Sequence, residues 1–164
     1  MGASTAGGSN LTAAQAPEEG SQNAAVNVST LRIGSDSSRL DIEVIQRQGR
    51  AAWTLRLTLV DGPHLAATVE DAYLIPEANE ADGLVGFFEV IAEQHWTGWN
   101  GAKSWASLEH NLAIDAKWHR TGGATLFVTL VPEGQRWQVQ GTVDVDDMAL
   151  ERLGRRARAV LLDG

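Results

Sequence analysis

The sequence contains no cysteine. Disulfides, thiolate metal sites and cysteine nucleophiles are therefore excluded, and a reducing compartment is compatible with the chain. Positive charge is also scarce. Thirteen Lys and Arg stand against 21 Asp and Glu, a formal net charge of −8. A nucleic-acid binder needs a basic field to release counterions, and this field has the opposite sign. Nucleic acid is thus excluded as an expected partner, and a basic protein surface suits the chain better. No apolar run approaches the roughly 20 residues of a membrane span, so no membrane partner is expected. The first positive side chain is Arg32, and residues 1–28 hold no compact apolar segment of the kind a signal peptide needs. The expected localisation is cytoplasmic.

Hydrophobic residues make up 43% of the 164, enough for a real core and a length that suits one domain. Residues 1–28 are mostly Gly, Ala, Ser, Thr, Asn and Gln around Pro17-Glu18-Glu19-Gly20. Too little apolar area is available there to offset chain entropy, so a disordered tail is expected, followed by a single α+β domain over residues 29–164.

Within that domain the hydrophobic period changes several times. Leu31-Arg32-Ile33 predicts a short strand. Leu40, Ile42 and Val44 alternate with Asp41 and Glu43, and Trp53, Leu55, Leu57 and Leu59 alternate with Thr54, Arg56 and Thr58. Period two predicts strands with one dry face. Asp61-Gly62 predicts a hairpin turn into a strand from about His64 to Ile75, with Leu65, Ala67, Val69 and Tyr73 inward. Leu84, Phe87, Phe88, Ile91 and His95 follow helical spacing, with Asn79 or Asp82 as the capping residue. From Ser104 period two returns. Leu108, Leu112, Ile114 and Trp118 are expected inward, His110 with them as a core histidine, and Ser107, Glu109, Asn111 and Asp115 outward. Strands over 124–131 and from Trp137 to Val145 follow. A last helix, capped by Asp146 or Asp147, carries Leu150, Leu153, Ala157, Val160 and Leu161. The expected fold is α+β: one antiparallel sheet of six to seven strands, one face covered by two helices, in the order β-β-β-β-α-β-β-β-α.

Three groups of residues bear on function. Trp96, Trp99 and Trp105 place three of the six tryptophans within ten residues. They are candidates for a ligand pocket, or for plugs where the chain turns from helix to strand. In the second role Trp96 and Trp105 are the expected plugs, and Trp99 the one to be watched for exposure. By parity, Asp41, Glu43, Arg56, Glu70, Glu109 and Asp115 share a wet sheet face, a candidate surface for a basic partner. His95, His110 and Glu109, with Ser104 and Ser107, are the only basis for a hydrolase or metal enzyme. Their expected directions diverge, no G-x-S-x-G elbow is present, and no metal or cofactor is expected.

The string Gly98-Trp99-Asn100-Gly101-Ala102-Lys103-Ser104-Trp105-Ala106-Ser107-Leu108-Glu109 resembles a G-W-x-G-x-x-x-W-x-S-L-E pattern in small, mostly actinobacterial proteins. In them it follows a helix with a Phe-Phe or Phe-Leu pair, here Phe87-Phe88. The later strand from Trp137 and the C-terminal helix are similar too. The family is domain-of-unknown-function family 6228, and the likeness in layout covers about residues 30–162. It implies a bacterial cytoplasmic protein and brings no activity or catalytic residue with it. The family pattern often has an acidic residue where Ala102 stands. The expected function is a non-catalytic protein-interaction module, immunity-like in masking a partner. The alternatives are a tryptophan-lined small-molecule site and a hydrolase or metal enzyme. An edge strand near residues 30–46 is a candidate for pairing with a second copy.

Overall fold

The computed structural model describes Met1 and residues 29–48, 52–74 and 83–163. The expected tail and the candidate caps Asn79 and Asp82 lie outside the described residues. The elements run β1 (Ser29–Gly34), β2 (Ser38–Gln48), β3 (Ala52–Asp61), β4 (Leu65–Leu74), α1 (Leu84–Glu93), β5 (Ala102–Ala106), β6 (Leu112–Trp118), β7 (Ala124–Leu130), β8 (Val139–Val145) and α2 (Asp147–Leu161). The class is α+β, as expected, but the strands form two antiparallel four-stranded sheets, β1-β2-β3-β4 and β5-β6-β7-β8, not one of six to seven.

The extra strand comes from residues 104–118, which fold back on themselves. Ser107 N–H donates to Leu112 O at 2.9 Å, and Ser107 Oγ accepts from Leu112 N at 3.2 Å. Residues 107–111 thus close a β5–β6 hairpin. The turn inverts the expected burial. Ser107 and Asn111 are buried, while Leu108 is 67% exposed. His110 takes a positive φ of 55° and is exposed, so it is no core histidine.

The first sheet keeps its alternation along β2 as far as Val44, where the register with β3 shifts by one residue before Gln46, and again along β3. In β4, Leu57 pairs with Val69 but Leu55 pairs with Ala72, so one extra residue sits in the strand. Asp71, at φ 56°, is part of that bulge. A bulge shifts every later side chain to the other face. Ala72 and Leu74 are therefore buried, and Tyr73, expected inward, is not.

One hydrophobic cluster unites both sheets and both helices. It contains Leu40, Ile42, Leu55 and Leu57 from the first sheet, Ile114, Leu126 and Val143 from the second, and Phe88, Ile91, Leu153 and Ala157 from the helices. The sheets are also sewn at an edge. Thr142, on edge strand β8, donates its N–H to Asp61 Oδ2 at 2.8 Å and its hydroxyl to the same oxygen at 3.1 Å. Ser38 Oγ donates to Thr142 O at 2.7 Å. Side chains of the β1–β2 and β3–β4 ends thus satisfy backbone groups that a ladder partner would otherwise take. Gly141 permits the approach, since a Cβ there would lie 3.1 Å from Asp61 Cβ.

α2 is capped by Asp146, whose carboxylate accepts from Ala149 N at 2.8 Å. Its far end is held by Arg47, which donates to Leu161 O and Val160 O at 2.9 and 2.8 Å. Arg158 binds Glu89 on α1 through two hydrogen bonds, 2.6 and 3.0 Å.

Candidate functional site

The corner after α1 is built from indole hydrogen bonds. α1 stops at Glu93, and Gly98 N–H reaches back to Gln94 O at 2.7 Å. Gly98 has φ 68°, and its α-carbon lies so near the Trp118 ring that a Cβ would fall 2.5 Å from it. Trp118 Nε1–H donates to His95 O, and Trp99 Nε1–H to Ala116 O, both at 3.2 Å. Two indoles therefore tie the helix end to β6, and both orphan N–H groups find carbonyls. Trp99 and Trp105 pack against the core. Trp96 does not, and is 75% exposed. The three candidate tryptophans thus divide: Trp105 is inward as expected, Trp99 is part of the packing, and Trp96, expected as a plug, stands in solvent.

His95 is the buried polar group of the corner. It is 6% exposed, its Nδ1 lies 2.6 Å from Ala92 O, and its ring centroid lies 4.5 Å from that of Trp96. It also lines an open groove of about 380 Å³ between α1 and α2. The groove floor holds buried Ala92 and Gly154 beside His95, and its rim holds exposed Glu93, Glu151 and Arg155. None of the three candidate tryptophans lines it.

A family model described as a family of unknown function, DUF6228, matches residues 33–163. That span begins at the end of β1 and takes in the corner, the other seven strands and both helices. The chain belongs to this family. No curated protein matches it.

In this DUF6228 domain the six candidate charged residues do not share one face. Asp41, Glu43, Arg56 and Glu70 lie together on the outer face of the first sheet. There Arg56 bridges Glu43 at 2.9 Å and Glu70 at 2.7 Å, and Asp41 is held by Arg32 at 2.8 Å and by Arg39 at 3.0 Å. The hydrogen bond that Arg56 donates to Glu70, then that to Glu43, raises the Arg56 pKa, and the bond to Asp41 and the charge of Asp41 raise that of Arg32. The patch is an interleaved ladder, three carboxylates to three guanidiniums, not an acidic field. Glu109 lies on the β5–β6 hairpin and Asp115 on the second sheet, because the turn at 107–111 begins a new strand.

The histidines diverge as well. His119 Nε2 lies 2.7 Å from Thr125 Oγ1, and that hydroxyl donates to Asp144 Oδ1 at 2.5 Å. This spends the hydroxyl proton on a carboxylate, leaving the oxygen to accept from His119, which is the reverse of a base activating a nucleophile. Among the described residues no group of three or more His, Asp or Glu could hold a metal ion. Nor is any helix among them long and apolar enough to cross a membrane.

Sequence reasoning missed three structural elements: the role of Trp118, the seam at Asp61 and the helix groove. Only the last had a signal, since Glu89 and Glu93 share a helix with His95's stripe.

Proposed function

We propose that this chain is a non-catalytic protein-interaction domain whose contact surface is centred on Trp96. The supporting observation is that Trp96 alone of the corner tryptophans is left in water, at 75% exposure, beside a buried histidine. Tryptophan is strongly enriched among residues that dominate binding energy at interfaces. The ion-paired sheet face is a poorer candidate, because a basic partner would have to displace Arg32, Arg39 and Arg56 from carboxylates they already hold. The tryptophan-pocket alternative loses support for a related reason: Trp99 and Trp105 are engaged with the core.

Affinity capture from the native cell extract, with wild type and Trp96→Ala in parallel, tests this reading. The expected result is one stoichiometric partner that the variant no longer retains. Recovery of no stoichiometric partner, or equal recovery by both proteins, would refute it. A toxin encoded beside this gene, recovered as that partner, would make the role immunity-like.

A further inference from the structure

The outermost strands of the two sheets are β1, β4, β5 and β8, and three of them are protected. β1 runs against α2, where Arg156 donates to Arg32 O at 2.9 Å. β4 carries the Asp71 bulge and the exposed carboxylates of Glu70 and Asp71. β8 has the Thr142 N–H and C=O taken by Asp61 and Ser38. A covering element, a bulge and charges are devices by which an edge resists a further strand. β5 lacks a bulge and a proline: its register with β6 is continuous from Ala102–Lys117 to Ala106–Ala113, and Ala102, Ser104 and Ala106 are exposed. Ser107 N–H bonds Leu112 O, so by antiparallel alternation Trp105 and Lys103 also bond β6. Ala102, Ser104 and Ala106 therefore turn their N–H and C=O groups away from β6. α1 packs near β5, yet among the described residues no hydrogen bond reaches those outward groups.

The same strand of a second copy answers this edge. A two-fold axis at Ser104 sets outward groups against outward groups. Ser104 then faces Ser104 of the second copy and Ala102 faces its Ala106, so small side chains meet small ones. Lys103 faces Trp105 of the second copy, a cation against an indole. Charge selects the same place. Each chain has a formal net charge of −8, so two copies repel over most approaches. Residues 95–108 hold no Asp or Glu, and Lys103 stands among them. The same register carries Leu108, 67% exposed at each hairpin, toward Gly101 of the other copy, where an added Cβ would meet nothing within 4 Å. We propose that the chain forms a two-fold dimer in which the β5 strands pair antiparallel, joining the two copies of the second sheet into one continuous sheet. The edge near residues 30–46 expected from the sequence gives way to β5, because α2 already flanks β1. The pairing runs through β5 backbone and not through the Trp96 side chain, so it stands or falls apart from partner capture.

The full chain has no cysteine, so one introduced thiol reports one position. Ser104→Cys should form a disulfide dimer under mild oxidation, since facing residues of a hydrogen-bonded pair lie about 5.5 Å apart at Cα, within disulfide reach. Ala102→Cys and Ala106→Cys should each remain single chains in non-reducing electrophoresis, because self-pairing would span roughly 13 Å of strand. Mixed together, they should cross-link. Light scattering of the wild type at about 100 μM should give the mass of two chains, for a dissociation constant on the order of 10 μM. Ala102→Lys/Ala106→Lys sets lysine against lysine and should weaken the dimer about tenfold or more. Ala102→Lys/Ala106→Glu, altered at the same exposed positions, sets opposite charges together and should keep it. A monomeric wild type, no cross-link at Ser104→Cys, self-cross-linking of Ala102→Cys as efficient as that of Ser104→Cys, or equal masses for the two charge variants would overturn the dimer. A monomeric wild type whose Ser104 amide gains protection from hydrogen exchange only in a captured complex would assign the edge to a partner's strand instead.

Discussion

Gly98 and Gly101 provide an internal control for what holds the corner. Both have left-handed backbone, φ 68° and 73°. An added Cβ at Gly101 would meet nothing within 4 Å, whereas at Gly98 it would fall 2.5–2.7 Å from three atoms of the Trp118 ring. Alanine at either position suffers the left-handed penalty, roughly 1–2 kcal/mol, partly offset by about 0.4–1 kcal/mol from a stiffer unfolded chain. Gly101→Ala should therefore cost about 0.5–1 kcal/mol. Gly98→Ala adds overpacking, about 1–3 kcal/mol. If the ring swings away to make room, it forfeits the bond from Trp118 Nε1 to His95 O, worth about 1 kcal/mol. The expected total is about 2–5 kcal/mol. Urea denaturation followed by tryptophan fluorescence measures both, with unchanged m-values as the check that only stability has moved. Losses within about 0.5 kcal/mol of each other, or a larger loss at Gly101, would show that the Gly98–Trp118 approach does not hold the corner.

Asp61→Ala should destabilise the protein by about 1.5–3 kcal/mol, the range for a charged acceptor lost from a partly buried donor, and should speed hydrogen exchange at the Thr142 amide. An unchanged Thr142 exchange rate would remove the seam from the account. Gly154→Ala sets two effects against each other. Helix propensity favours alanine by about 1 kcal/mol, but the new Cβ would lie 2.9 Å from the Glu89 backbone, and overpacking costs about 1–3 kcal/mol. Thermal unfolding should show a net loss, and a gain would mean that the helices part easily. Trp96→Ala should leave stability within about 0.5 kcal/mol of wild type and shift the emission maximum to the blue, since the most exposed indole is gone. A loss above about 2 kcal/mol would mean that Trp96 is a packing residue after all.

Much of the fold was legible because most strands keep strict alternation. The buried sets Leu40-Ile42-Val44 and Leu55-Leu57-Leu59 follow directly from period two, as Leu150-Leu153-Ala157-Leu161 follows from the helical period. Failure came at two backbone irregularities. Asp71 and His110 are the non-glycine residues with positive φ among the described residues. Neither carries a Gly or Pro marker, yet Asp and His are among the few other types that tolerate that region. At Asp71 one extra residue turned Tyr73 outward. At His110 a predicted continuous strand became a hairpin, which adds an eighth strand within the second sheet. Parity assumes an unbroken ladder, so a single bulged residue changes every assignment after it.

The tryptophans fail differently, and their failure identifies the better candidate. Composition groups Trp96, Trp99 and Trp105 because they are close in sequence. Hydrogen bonding groups Trp99 with Trp118, which arrives on β6 and cannot be anticipated from local spacing. A buried indole must pair its N–H, so an indole that spans from one element to a carbonyl of another is committed to the fold. Removing such a residue would unfold the corner and reveal nothing about binding. Trp96 follows a buried histidine, and its neighbour's carbonyl is already taken by Trp118, so the chain positions it without enclosing it. An aromatic side chain that is placed by the fold but contributes little to it can be removed without disturbing the corner. That separability is what allows the loss of a partner in Trp96→Ala to be read as loss of contact and not loss of structure.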